Sequence, residues 1–356
     1  MSNLFSPLAI KSITLKNRIA VSPMCQYSSK DGFASDWHLV HLGSRAVGGA
    51  GLIICEATAV SPEGRISPGD LGIWQDEHIP MLKRITEFIS SQGAVPGIQL
   101  AHAGRKASHQ APWNGGKALT KNEGAWQTVA PSAIPFANDD NLPLELSKEG
   151  IQKVINDFKT AAQRALDAGF KIIEIHAAHG YLIHEFYSPY SNKRTDGYGG
   201  SFENRIRLLL EIIDNVKKVW PGENPLFVRI SATDWIDDGW TVEDSVRLVK
   251  IMKDHNVDLV DCSSGGNVPG VKIPIGPCYQ LPFAEKIKKE SGIMTGAVGM
   301  ITTAKEAESI ITNQQADIVL LAREFLRDPY FPLHAATEFN YDLAWPNQYL
   351  RAKPKT

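Results

Sequence analysis

The chain lacks the features that mark several protein classes. Its four cysteines include no closely spaced CxxC pair, which disfavours a disulfide framework, a zinc site and a four-cysteine iron–sulfur cluster. It has no block of Lys and Arg, and its formal net charge of -2 argues against a nucleic-acid or anionic-membrane partner. No apolar run approaches the length of a membrane span, and no signal-peptide pattern is visible at the N-terminus. We therefore expect a soluble, cytoplasmic protein.

What the chain does contain is an alternation of short apolar runs with amphipathic stretches. The strand candidates are residues 18–22, 52–56, 95–100, 171–176, 226–230, 259–262, 294–297 and 318–322. The helix candidates are residues 37–47, 77–91, 148–168, 202–219, 242–254, 283–290, 305–312 and 324–327. Ser147 and Thr241 stand where helix N-caps are expected, and Gly169 follows a predicted helix end. These pairs predict an α/β fold, a closed (β/α)₈ TIM barrel that forms one domain over residues 1–356.

Two segments fall outside this alternation. Residues 8–17 alternate like a short hairpin, which we expect to plug the floor of the barrel. Residues 103–146, after the third strand, are rich in Pro and Gly and have little periodicity. A connection of this length inside a compact domain is usually functional or disordered. Because Trp113, Trp126 and Phe136 supply apolar anchors, we expect an ordered cap over the barrel mouth.

The segment from His176 to Tyr181 carries the strongest chemical signal. It follows the β-branched run 170–175, so two imidazoles and a phenol are expected where a buried strand ends. In a barrel of parallel strands, that end holds the active site. The imidazoles of His176 and His179 can polarise one oxygen atom, and the phenol of Tyr181 can deliver a proton. The alternative is a pair of structural histidines in a tight turn.

Polar or small side chains follow most of the other strand candidates as well. The barrel would bring them to one site, because the ends of parallel strands meet at one face. Taken singly, Gln99 could be a structural amide, Arg229 a buried ion pair and Cys25 a small core residue. The candidates are Pro23, Met24, Cys25, Gln26, Tyr27, Ala57, Gln99, His102, Arg229, Gly299, Ala322 and Arg323.

The loops after the last two strands have the character of a phosphate site. Gly299 allows backbone N–H groups to approach an anion, and Ala322 and Arg323 open a short predicted helix. No GxGxxG follows a strand, so a Rossmann nucleotide site is not indicated. With the phosphate in these loops, Gln99 could bind an amide-like ring edge and Arg229 could stabilise an anionic reduced ring. These requirements match flavin mononucleotide (FMN) better than a sugar phosphate.

Several stretches together resemble the old yellow enzyme family of flavin-dependent ene-reductases, and in particular its thermophilic-like subclass. They are residues 22–27 (SPMCQY), 98–106 (IQLAHAGRK), 130–133 (APSA), 174–181 (EIHAAHGY), 191–196 (SNKRTD), 198–201 (YGGS), 204–205 (NR), 321–323 (LAR) and 328–329 (DP). The similarity extends from residues 4–5 to Tyr349 and Arg351 and so covers nearly the whole chain.

This resemblance implies a (β/α)₈ barrel with non-covalent FMN and NADPH as electron donor. It implies reduction of the activated C=C bond of α,β-unsaturated carbonyl compounds, with hydride from the flavin and a proton from Tyr181. The implied FMN-binding residues are Ser22, Pro23, Met24, Cys25, Ala57, Gln99, Arg229, Gly299, Ala322 and Arg323. The implied catalytic and substrate-binding residues are Tyr27, His176, His179 and Tyr181, with Cys25 as a redox-tuning thiol and Arg351 reaching a neighbouring subunit's site. A homodimer or homotetramer is implied too. Ala322 departs from the family, where glycine is common at this position.

Three other functions remain compatible with the sequence. A metal-dependent barrel hydrolase could use His102, His176 and His179 with Asp234, although Arg229 at a strand end would disfavour a divalent ion. A flavin enzyme with an iron–sulfur cluster could reduce dienoyl-CoA esters, but the cysteine spacing disfavours it. A flavin- or phosphate-binding barrel could also act as a sensor or store without catalysis.

Overall fold

The computed structural model describes residues 2–354. Within these residues, eight parallel strands close into a barrel in which the last strand pairs with the first, which confirms the predicted fold. They are called the first to eighth barrel strands below. In chain order they are Ile19–Val21, Leu52–Ala59, Val95–Ala101, Ile172–Ala177, Leu226–Ser231, Leu259–Ser263, Met294–Val298 and Ile318–Leu321.

Helices follow the strands and surround the barrel. In the described part of the chain they are α1 Asp36–Val47, α2 Ile79–Ser91, α3 Lys148–Asp167, α4 Leu182–Tyr187, α5 Phe202–Val216, α6 Val242–Asp254, α7 Leu281–Ser291, α8 Ala304–Thr312, α9 Arg323–Arg327 and α10 Phe331–Glu338. The predicted caps are confirmed, since the Ser147 and Thr241 side chains accept N–H groups of the first turns of α3 and α6. None of these helices combines the length and apolar character that crossing a bilayer requires.

The N-terminal hairpin seals one end of the barrel. Its strands, Leu8–Ile10 and Ile13–Leu15, pair antiparallel. The side chains of Leu8, Ile10 and Leu15 are buried in the same apolar cluster as side chains from inside the barrel. This cluster also contains Ala20, Leu52, Ile54, Ile172, Phe227, Leu259, Val298, Ile318 and Leu320. The predicted plug is therefore present, and chemistry is confined to the opposite, open end.

The segment after the third barrel strand covers that open end. It contains short 3₁₀ turns and two two-residue strands, Val129–Ala130 and Leu144–Glu145, that pair in parallel. Phe136 of this cap lines a cavity of about 500 Å³ together with Tyr27 and Tyr181. The prediction that Trp113 anchors the cap is wrong. Its side chain is 67% exposed, because it lies on the outside of a 3₁₀ turn and contacts Tyr27 only edge-on.

Candidate active site

Two imidazoles and a phenol surround one small volume at the end of the fourth barrel strand. His176 is the next-to-last residue of that strand and is buried, while His179 and Tyr181 are half-buried in the turn that follows. The His176 ring centroid is 5.0 Å from that of His179 and 5.0 Å from that of Tyr181, and both pairs are nearly perpendicular. The structure thus brings the three predicted residues together.

The hydrogen bonds of the imidazole pair indicate where its protons lie. The Ala178 N–H donates to His176 Nδ1 at 3.2 Å, so the proton of a neutral His176 is on Nε2. His176 Nε2 lies 3.3 Å from His179 Nδ1, and His179 Nε2 lies 2.7 Å from Ser263 Oγ. Burial, and then the charge of Arg229, hold the pKa of both imidazoles well below the usual value. Both rings are therefore neutral near pH 7.

The turn that carries these groups is held from behind. His179 and Gly180 both adopt left-handed backbone angles, with φ of 60° and 73°. A Cβ at Gly180 would lie 2.2 Å from the Gly266 carbonyl oxygen, so only glycine fits there. The Gly180 N–H donates to His184 Nδ1 at 2.9 Å, and His184 Nε2 lies 2.9 Å from Asp234 Oδ1. The fully buried His184–Asp234 pair therefore fixes the turn.

The segment after the first barrel strand forms a second wall of the site. Its residues 23–27 are half-buried, unlike the strand before them. The Gln26 N–H donates to the Glu56 carboxylate at 2.8 Å, beside a register shift in the second strand. Burial and the nearby carboxylates of Asp70 and Glu56 raise the pKa of Cys25 well above its usual value. Cys25 is thus a neutral, half-buried thiol on this wall, and its assignment to the site stays a prediction.

Four polar side chains fill the barrel interior next to the histidines. Gln99 Nε2 donates to Glu174 Oε1 at 2.7 Å, and Arg229 Nε lies 3.1 Å from Asp261 Oδ2. Arg229 Nη1 also lies 3.4 Å from Ser22 Oγ. Gln99 is therefore a structural amide and Arg229 is part of a buried ion pair, as the structural alternatives predicted, but neither contact occupies the whole side chain. The Gln99 carbonyl oxygen and its second N–H can still bind a ligand. Arg229 can donate to a ligand from Nη2 and from the second N–H of Nη1.

A second cavity lies between the ends of the seventh and eighth barrel strands. It measures about 230 Å³ and is lined by Arg229, Gly299, Ala322 and Arg323, four of the predicted cofactor residues. Gly299 has a φ of 120°, and a Cβ there would lie 2.8 Å from Gln280 Nε2. Helix α9 begins at Arg323, as predicted. Backbone N–H groups and the three guanidinium groups of Arg229, Arg323 and Arg327, which outnumber the Glu324 carboxylate, make this cavity suited to a phosphate.

The sequence analysis missed two residues that contact the site, Ser263 and Lys106. Ser263 ends the sixth barrel strand, the one strand end to which we had assigned no candidate. Applying the same strand-end rule there would have found it. Lys106 donates from Nζ to the backbone oxygens of His179 and Gly266 at 2.8 and 2.9 Å and lies 5.3 Å from the Tyr181 ring. Burial lowers the pKa of Lys106 to about 8. Only the fold brings this cap residue to Tyr181.

Two predicted arrangements are absent from the described part of this chain: Arg351 does not lie at its own active site, and Asp234 does not lie beside the imidazole pair. Arg351 is exposed in a C-terminal 3₁₀ turn, Asn347–Ala352, and does not line the cavities of its own chain described above. The hydrolase alternative required Asp234 beside the imidazole pair. Instead, Asp234 binds His184, Ser188 and the Trp240 N–H. Across residues 2–354, no three His, Cys, Asp or Glu side chains are grouped as metal ligands.

Comparison with known proteins identifies similarity over nearly the whole chain, in sequence and in structure. The sequence profile described as the NADH:flavin oxidoreductase / NADH oxidase family matches residues 3–342. Morphinone reductase is 27% identical with a TM-score of 0.79 over 97% of this chain and 92% of that one. A further structure of morphinone reductase, in complex with tetrahydroNAD, is 26% identical with a TM-score of 0.78 and covers 98% and 93% of the two chains.

Two longer proteins contain a region that is similar in structure to this chain. A 2-naphthoyl-CoA reductase complex with 2-naphthoyl-CoA is 28% identical with a TM-score of 0.86 over 95% of this chain. Histamine dehydrogenase from Rhizobium sp. 4-9 is 27% identical with a TM-score of 0.80 over 95% of this chain. The present chain spans only 52% and 48% of these two proteins. The family match over residues 3–342 and the likeness to morphinone reductase together show that this chain belongs to the NADH:flavin oxidoreductase family, the family of old yellow enzyme.

Proposed function

We propose that this protein is an FMN-dependent, NADPH-oxidising ene-reductase that reduces the activated C=C bond of α,β-unsaturated carbonyl and related compounds. The observation that carries the proposal is the group formed by neutral His176 and His179 and by Tyr181, beside a cavity suited to phosphate. The imidazole pair can hold one oxygen atom while the phenol addresses a nearby carbon.

The residues around the two cavities fit an FMN molecule. Gly299, Ala322 and Arg323 would bind its phosphate, and Gln99 and Arg229 would bind the polar edge of its ring. Ser22, Pro23, Met24, Cys25 and Ala57 would line the rest of the ring. The half-buried faces of residues 23–25 are consistent with contact to a flat ligand. When bound, the flavin would take hydride from NADPH and give it to the β-carbon of the substrate.

His176 and His179 would donate hydrogen bonds to the carbonyl oxygen of the substrate and so stabilise the negative charge that develops there. One such donor typically contributes about 3–4 kcal/mol to transition-state stabilisation. Because both imidazoles are neutral, each offers a single N–H. With the proton of His176 on Nε2 and facing His179 Nδ1, the proton of His179 is on Nε2, where Ser263 Oγ accepts it at 2.7 Å. A substrate oxygen bound by both rings would take the place of these two acceptors.

Tyr181 would donate its phenolic proton to the α-carbon of the substrate. Burial raises the pKa of Tyr181 well above its usual value, so the phenol is protonated over the physiological range. Its proton would be replaced from solvent through the 500 Å³ cavity under the cap. Tyr27, which lines the same cavity, would contact the substrate, and the Cys25 thiol would tune the flavin potential.

We further propose a cytoplasmic homodimer or homotetramer without nucleic-acid or membrane partners. The exposed position of Arg351, outside its own site, leaves it free to reach the site of a neighbouring subunit.

An absorption spectrum of the purified protein, followed by turnover with an enone, tests the proposal. We expect bound oxidised flavin that NADPH bleaches and that an enone such as 2-cyclohexenone reoxidises without oxygen. A folded but colourless protein that does not bind added FMN would contradict it. Flavin that binds but is never reoxidised by any activated alkene would instead favour a sensor or store.

A further inference from the structure

The barrel interior holds one cation in contact with one carboxyl group, and a second carboxyl group close by. We call Gln99, Glu174, Arg229 and Asp261 the interior quartet. They come from the third, fourth, fifth and sixth barrel strands, and their Cα atoms pair across the sheet as Gln99 with Glu174 and Arg229 with Asp261. Glu174 and Asp261 are both 0% exposed. The ionisable groups that face Glu174 are Arg229 and Asp261, and Gln99 is its hydrogen-bond donor.

The charges of the quartet do not balance if both carboxyl groups are ionised. One guanidinium and two carboxylates would leave a net negative charge on buried groups, which is costly. The contact of Asp261 with Arg229, at 3.1 Å, makes these two the natural ion pair. Glu174 has no cation at this distance in the described part of the chain. Its Oε2 lacks a hydrogen-bond partner within the described residues, as do both Asp261 oxygens, so the nearby guanidinium is what distinguishes the two carboxyl groups. Ionisation of Glu174 is therefore the unfavourable step.

The direction of the pKa shifts agrees with this geometry. Burial, and then the charge of Asp261, raise the pKa of Glu174 to about 8. Burial raises the pKa of Asp261 only to about 6, because the neighbouring Arg229 opposes the shift. Near pH 7, Asp261 is thus a carboxylate paired with Arg229, and Glu174 is a neutral carboxylic acid.

We propose that Glu174 limits the negative charge of the barrel interior when the flavin is reduced. Near pH 7 it is already neutral and adds no charge of its own, and at alkaline pH its carboxylate takes up a second proton with the two electrons. This inference rests on the proposed function, in which Gln99 and Arg229 hold the polar edge of that flavin. Gln99 touches Glu174 directly, and Arg229 faces it, so Glu174 acts on the cofactor through both residues. Glu174 is in this sense a positioning residue.

The proton balance of this step can be written in full. A two-electron reductant adds two electrons to the bound flavin, and the ring itself takes one proton. Where Glu174 is ionised before reduction, its carboxylate takes a second proton from solvent and forms a new O–H bond. Where Glu174 is already protonated, no second proton is taken up. The second proton therefore appears only above the pKa of Glu174 in the oxidised protein.

A redox titration of the FMN-loaded protein from pH 6.5 to 10 tests the inference. One proton per two electrons gives a slope of about 30 mV per pH unit, and two protons give about 59 mV. We expect the wild-type slope to steepen above about pH 8, while Glu174→Gln keeps the shallow slope throughout. The glutamine side chain can still accept from Gln99, so this variant isolates the proton from the hydrogen bond.

Asp261→Asn provides a directional control. Asp261 raises the pKa of Glu174, so its neutralisation should move the steepening of the slope to lower pH. A break that stays in place or moves to higher pH would contradict the assignment to Glu174.

Infrared spectroscopy of the wild-type protein tests the same inference without any substitution of a buried residue. The reduced-minus-oxidised infrared difference spectrum should gain a protonated-carboxyl C=O band at pH 9.5 that is absent at pH 6.5. A wild-type slope that is the same below and above pH 8, with no such band, would overturn the inference. That result would leave the proposed function intact, because flavin binding and enone turnover are measured separately.

Discussion

The two ends of the barrel are built from the same strands and have opposite character. The fourth strand contributes Ile172 to the apolar cluster at the closed end and His176 to the open end. The fifth contributes Phe227 to the first and Arg229 to the second in the same way. The closed end buries apolar surface, which stabilises the fold, whereas the open end buries polar groups, which cost stability. Stability and chemistry should therefore respond to substitutions at different ends of one strand.

Tyr181→Phe should give the largest effect on chemistry. Loss of the phenolic proton should slow the reduction of the alkene by about 10²–10⁴-fold, while reduction of the flavin by NADPH stays nearly unchanged. Stopped-flow measurement of the two half-reactions separates these rates. Tyr198→Phe, which changes a partly buried tyrosine bonded to Glu211, is the matched control. Equal losses in both half-reactions would show that Tyr181 is not the proton donor.

Leu15→Ala should give the largest effect on stability. Leu15 is 1% exposed in the closed end, and such truncations typically lower the free energy of unfolding by about 2–5 kcal/mol. Turnover per folded molecule should not change. Denaturant titration and the assay together test both statements, with Leu142→Ala, at a side chain that is 62% exposed, as the control. A large loss of turnover would mean that the two ends are not independent.

His176→Ala should reduce both ligand binding and turnover. Removal of one donor to the substrate oxygen should cost about 10²–10³-fold in the rate of alkene reduction and weaken the binding of phenols. Flavin absorbance changes on phenol titration measure the binding. His334→Ala, which removes an exposed imidazole bonded to Asp328, should leave both unchanged. If phenol affinity survives in His176→Ala, this residue does not hold the oxygen.

Cys25→Ala should give the smallest effect. The neutral thiol lies in the wall of the proposed flavin site, so its loss should shift the midpoint potential by an amount on the order of 30 mV, equivalent to about a tenfold change in the equilibrium constant. Cys278→Ala alters a half-exposed cysteine that does not line the cavities described above and serves as control. Identical potentials for the two variants and wild type would remove Cys25 from the tuning role.

The barrel could be predicted from sequence because its strands are short, apolar and regularly followed by amphipathic helices. Helices α4 and α10 were not predicted. All six residues of α4 are buried, so it lacks the polar face by which periodicity identifies a helix. Helix α10 is likewise apolar around most of its surface. Predicted ends differed by a few residues elsewhere, as at the second strand, which continues to Ala59.

The site was predictable where a residue lies at the end of a strand, as His176 does, or directly after it, as Gly299 and Ala322 do. It was not predictable where the partner comes from far along the chain. Lys106 reaches the His179 backbone across 73 positions, which no local pattern encodes. Glu174 and Asp261 are charged residues inside otherwise apolar strands. The sequence shows that they are present, but only the closed barrel shows that both face Arg229.

The tether from Asp234 through His184 to Gly180 has a consequence for how such a protein could change its substrate. It holds the spacing between the His179 ring and the Tyr181 phenol before any ligand arrives, so in the proposed reaction the cost of ordering these groups is met during folding. Every acceptable substrate must then present its oxygen and its protonated carbon at that one interval. A change of substrate would then come from cap residues that line the cavity, such as Phe136, whereas Lys106 of the cap is constrained by its hydrogen bonds to the turn.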